Sequence, residues 1–216
     1  MKRGRGRNAA LAEEAWRLLS QRGWVEVDCN RSIWIPCPMI LPKGWTKATW
    51  AATFAEWSWS ASGEPHSQAD LYRLAQQLSF LYDGMFEDSS CMLAWLHLSS
   101  PRLLPLPLRA GIWATRGERT ERLRALTNAD DPAAVEPPVV TEFWTEHLGS
   151  GLKTIRHLRI PDDQALAVAV NYAWRSEELE TDLRLFASCD DLGRLQRAIP
   201  DIEDFARAAR FVGLPS

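Results

Sequence analysis

The residues best suited to chemistry in this sequence are few and scattered. "KTIRHLR" (153–159) gathers Lys153, Arg156, His157 and Arg159, side chains that could hold an anion or an acidic partner. Read as a strand, it places Lys153, His157 and Arg159 on one side with Ile155, and Arg156 on the other. Arg175 ends a neighbouring predicted strand and joins the cluster if the two strands pair. The plain alternative is a surface strand protected by its charge. Cys189 precedes Asp190 and Asp191 at the head of a predicted helix, where a helix N-terminus favours thiolate. The two carboxylates oppose that, so a strand-end cysteine followed by Asp caps is expected. His147 and His157 are near each other in sequence, but neither has an identifiable acid or nucleophile partner.

Familiar phosphate and metal spacings fail. Neither GxGxxG nor GxxxxGK[ST] occurs; "GSGLKT" (149–154) has two glycines and Lys153 but reads as a tight turn into a strand. Cys29 and Cys37 are eight apart with prolines close by. Cys91 and His97 share a strand face but stand ~20 Å apart, too far to chelate one ion directly. HExxH and GxSxG are absent. No catalytic residue, metal ligand or cofactor is expected.

The eleven tryptophans are the unusual feature. Three lie in "ATWAATFAEWSWSASGE" (48–64). At about 100° per residue, Trp50, Phe54, Trp57 and Ala61 form one stripe, with Trp59 opposite among Ala48, Ala52 and Ala55. A helix apolar on two sides is wedged between layers, so these three read as core rather than as one platform.

The elements that position these residues follow from period and punctuation. Residues 8–22 read as a helix stopped by Gly23. "RSIWIPCPMILPKGW" reads as a short strand that Pro36, Pro38 and Pro42 confine to an edge or an extended connection. Residues 65–83 make the cleanest helix, with Ser67 and Asp70 as a capping box and Phe80 pointing away. "CMLAWLHL" and "LPLRAGIWAT" read as strands, and "GERTERLRAL" as a short exposed helix. "VVTEFWTEHL" and "GLKTIRHLRI" are strands, though the second also fits a helical period. "ALAVAVNYAWR" alternates Leu166, Val168, Val170, Tyr172 and Trp174 with alanines and Asn171, so both faces are covered. "SEELE" turns it into "TDLRLFASC" as an antiparallel hairpin. Two helices finish the chain, one begun by Asp190 or Asp191, the other capped by Asp201 and ended by Gly213. Helices, then strands, then helices argue for α+β: an antiparallel or mixed sheet with helices packed on it. Residues 1–7 form a disordered basic tail; 8–216 make one domain, or two subdomains (8–126 and 139–216) joined by the Pro-rich 127–138.

At 216 residues, net charge −3 and pI about 5.9, no global field draws the chain to nucleic acid or anionic lipid. No apolar run follows the basic tail, so no signal peptide is expected, and no run is long enough to span a bilayer. Four spread cysteines fit reduced thiols and a cytoplasmic location.

The C-terminal run "HLGSGLKTIRHLRI", "NYAWRS", "TDLRLFASCDDLGRLQRAIPDIEDFARAARFVG" resembles uncharacterised actinobacterial proteins with a "GxGL", "YAWR" and "D-L-x-R-L" series. The element order is similar to that of PsbP/Mog1-like α+β proteins. The resemblance implies a fold and no activity.

The expected function is therefore binding, to another protein or to itself as a homodimer, without catalysis. Trp and Arg favour interfaces, and the Pro-flanked "IWIPCPMILPKGW" and "RLLPLPL" present apolar surface as extended segments. Candidate contact residues are Trp34, Trp45, Lys153, Arg156, His157, Arg159, Tyr172, Trp174 and Arg175. The alternative is a small-molecule enzyme or ligand carrier, with its pocket between sheet and helices near Tyr172, Trp174 and the basic cluster.

Overall fold

The computed structural model describes residues 10, 13, 14, 16, 17, 25–86, 91–160 and 165–212. The basic tail, Gly23, Gly213 and most of the helix predicted over 8–22 lie outside them. The residues described in that stretch are helical. In chain order the elements are β1 (Val25–Val27), β2 (Trp34–Cys37), α1 (Lys47–Ser62), α2 (Gln68–Met85), β3 (Leu93–His97) and β4 (Leu106–Ala114). Then come α3 (Arg119–Thr127), β5 (Val139–Thr145), β6 (Gly149–Arg159), β7 (Leu166–Ser176), β8 (Thr181–Cys189), α4 (Leu192–Ala208) and β9 (Ala209–Phe211). The class is α+β, as the element order predicts. The chain divides into two compact units, Met1–Arg22 with Asn30–Pro107, and Gly23–Cys29 with Leu108–Ser216. Residues 127–138 lie within the second unit, where they lead from α3 into β5. Among the described residues no helix is long and apolar enough to cross a membrane.

In the first unit, α1 and α2 pack on each other, and β2 pairs antiparallel with β3. The doubly apolar α1 behaves as its wheel predicts: Trp50, Phe54 and Trp59 are all buried although they leave the helix on different sides. Thr46 and Ser67 head the two helices with capping boxes, the second through Asp70 as its spacing indicates. The prolines of β2 and the segment after it leave carbonyls for the helices to satisfy. Trp50 Nε1 donates to Pro36 O at 3.1 Å, and Tyr82 Oη donates to Pro38 O at 2.6 Å.

In the second unit the strand order is β4-β8-β7-β6-β5, all antiparallel, and β1 pairs with β9. The β7–β8 hairpin closes at Ser176 and Thr181. The alternation in β7 divides the sheet into two unlike faces. Tyr172 and Trp174 point to the face covered by α4, whereas Ala173 packs under Leu123 and Leu126 of α3. The two C-terminal helices expected from the sequence are one: α4 is capped by Asp191 and runs through Pro200. Proline removes one helix hydrogen bond. Leu195, Ala198, Ile202 and Phe205 nevertheless recur at helical spacing, and their continuous burial holds the axis through that point.

Candidate binding surface of the second unit

The cations singled out in the sequence are distributed over both faces of this sheet. Register sets Lys153 opposite Tyr172, His157 opposite Val168 and Arg159 opposite Leu166, so these three share the α4 face, and Arg156 takes the other. Lys153 Nζ donates to Glu203 of α4 at 2.6 Å, and Arg207 donates to the other oxygen of Glu203 at 2.9 Å. Burial raises the Glu203 pKa, but these two cations outweigh it and hold the carboxyl below its ordinary value. His157 Nδ1 lies 2.8 Å from Glu136 Oε1. Arg156 donates to Asp131. Arg159 is exposed.

Arg175 does not join them. The strands do pair, but the antiparallel register carries Arg175 to the far end of β7, onto the face opposite Lys153. There it donates to Asp182 at 2.8 Å and to the carbonyls of Arg116 and Gly117 at 3.1 Å. Arg122 of α3 reaches the second Asp182 oxygen at 3.1 Å. This buried cluster fastens the turn before α3 to the hairpin, so Arg175 has a structural task.

The aromatic candidates divide by burial. Trp34 is 1 % exposed, with its ring 5.0 Å from that of His97, so no partner can touch it at the surface of the folded chain. Trp45 is half-buried against the first unit's core. Tyr172 and Trp174 are fully buried and stacked 6.0 Å apart, with Phe143 at 4.9 and 5.9 Å. Packed side chains thus occupy the place where a pocket beside Tyr172 and Trp174 was expected. Burial also pushes the Tyr172 hydroxyl pKa far up.

The cysteines are free thiols. Burial raises the pKa of Cys37 and of Cys189, and the backbone N–H of Asp191 donates to Cys189 Sγ at 3.3 Å. That is the capped strand end the sequence indicates. Among the described residues no three His, Cys, Asp or Glu side chains converge as metal ligands would.

Two of the exposed apolar groups among the described residues bear on binding. Met39 and Ile40 after β2, and Leu103 and Leu104 before β4, are exposed, as the Pro-flanked segments suggest. In the second unit, β5 is the last strand of its sheet and pairs with β6 alone. It carries Trp144, 65 % exposed, with Val139 also exposed at its start. Trp144 is the one exposed tryptophan among the described residues. Its side chain and that of Glu142 share a face by strand alternation, and Glu146 follows, exposed. The sequence contains this signal: in "VVTEFWTEHL" the odd positions Phe143 and Thr145 go inward, which sends Trp144 out. Only an edge position makes that exposure informative, and the edge is set by strand order.

No family model and no curated protein matches the sequence. A solved structure similar in chain path is the Ran-binding protein Mog1p of Saccharomyces cerevisiae. The TM-score is 0.38 at 8% identity, over 56% of this chain and 79% of that one.

Proposed function

We propose that the chain is a non-catalytic binding protein that takes an extended segment of a protein partner along β5. The observation that carries this reading is Trp144, two-thirds exposed on a strand with one neighbour. Tryptophan is among the residue types enriched where a few side chains dominate binding energy. An unpaired strand edge offers backbone donors and acceptors to an added strand. Glu142 and Glu146 flank the indole, and residues 137–147 contain no Lys or Arg, so the partner segment is basic with an apolar residue to cover Trp144. A second copy of this chain is the less favoured occupant, because antiparallel self-pairing would bring like carboxylates together. Four free thiols support a cytoplasmic setting.

The test is a photo-crosslinking amino acid at position 144, compared with the same group at Phe80 on α2, which is more exposed still. A discrete adduct from 144, absent from 80 and lost when Thr141→Pro is added to the edge, is the expected result. Adducts from both positions alike, or from neither, would refute the reading.

A further inference from the structure

The β5 edge also specifies the order of residues in the segment it takes, an inference that rests on the β5 reading above. Thr145 and Gly149 are the last pair in register before the turn over 146–148. So tight a closure leaves their own amides and carbonyls to bond each other. Alternation then turns the backbone groups of Thr141 and Phe143 toward β6, and those of Val140, Glu142 and Trp144 to the open edge. The same three residues send their side chains to one face, where Leu152 lies across from Glu142 and packs under α3. Upstream, Pro138 offers no N–H. Downstream, the turn ends the strand, so an added strand pairs with this stretch alone.

Along that face the strand presents three unlike neighbours. Trp144 is exposed, Val140 is half-buried, and Glu142 stands exposed between them. Ser150, opposite Trp144, donates its hydroxyl to Glu142 Oε1 at 2.5 Å, and Arg119 donates to the Ser150 carbonyl at 2.6 Å. One carboxylate oxygen is thus held in place while the other can accept from a second donor. Glu146 lies in the turn, beyond the pairing stretch, and sets no position. Side chains opposite one another on paired strands interact directly. We propose that the partner segment reads apolar, any residue, lysine or arginine, any residue, apolar. Its two apolar side chains cover Trp144 and Val140, and the cation between them reaches Glu142. The order is the same in both directions, so it holds whether the partner runs parallel or antiparallel to β5.

The test is fluorescence anisotropy of labelled synthetic peptides titrated with the full chain. One peptide carries a lysine two residues from each of two leucines, with threonine elsewhere. Its control has the same composition with the lysine shifted by one position, onto the other face of the strand. The ordered peptide should bind about fivefold more tightly, the contribution of one cross-strand charge pair. Glu142→Lys should reverse the charge preference, so that a peptide with glutamate in place of the lysine binds better by a similar factor. A preference that Glu142→Lys does not reverse would overturn the proposal. Equal binding of ordered and control peptides, both lost in Trp144→Ala, would overturn the order and leave the β5 reading standing. Binding of neither peptide overturns the order as well, and crosslinking from position 144 then decides the β5 reading by itself.

Discussion

Gly151 lies directly across from Trp174, and the indole occupies the space that a side chain at 151 would need. A Cβ there would meet Trp174 Cδ1 at 2.5 Å and Nε1 at 2.6 Å, with the Ala173 carbonyl also against it. The bare backbone at 151 lets Phe143 of β5 and Trp174 of β7 approach across the intervening strand to 5.9 Å. Gly151→Ala should therefore cost about 1–3 kcal/mol through overpacking. Urea denaturation checks this, and an unchanged midpoint would mean that the indole moves aside freely.

Asp182 is fully buried between Arg175 and Arg122. Asp182→Asn leaves the Arg175 charge buried without its counterion, and a loss of about 3 kcal/mol is expected. Because Arg175 also holds the carbonyls of Arg116 and Gly117, the variant should loosen α3 first. Amide exchange in α3 should accelerate more than in β7; uniform acceleration would argue against the clamp.

Trp34 and Trp144 should behave oppositely on truncation. Trp34→Ala empties a core site and should cost about 3–5 kcal/mol. Trp144→Ala should change stability by less than about 0.5 kcal/mol. Thermal denaturation of the two variants side by side decides this; similar losses would place Trp144 in the packing rather than at a surface.

Glu203 gives the acid limb of stability. Its carboxyl is held below its ordinary value of 4.5 in the folded chain, so the folded state binds its proton less readily than the unfolded state does. The resulting stabilisation is complete above about pH 4.5 and is lost as pH falls through the lowered folded value. Glu203→Gln should make the fall in stability between pH 5 and about pH 3 shallower. A curve parallel to that of the unaltered protein would exclude a role for this carboxyl.

Element types were legible wherever period and punctuation agreed. The Ser67–Asp70 box, the two apolar sides of α1 and the β7–β8 hairpin all follow from local spacing. The helix start expected at Asp201 is not one, because the apolar residues buried before and after it, Leu195, Ala198, Ile202 and Phe205, belong to a single continuous stripe that runs past Pro200. The basic cluster misled for a different reason. Lys153, Arg156 and His157 are neighbours in sequence, but their partners Glu203, Asp131 and Glu136 come from distant segments, and no local pattern reveals such pairings. Trp144 reads locally as one outward aromatic among eleven tryptophans, and its meaning comes from the place of β5 at the end of the strand order.

The most direct measurement on the central claim is amide hydrogen exchange across residues 139–145, in the free protein and in the complex captured by crosslinking at 144. A partner strand added to β5 should slow exchange at alternate amides of this segment by about tenfold or more. It should leave α1 and α2 unchanged. Exchange in β5 that stays the same while protection appears elsewhere would contradict the account.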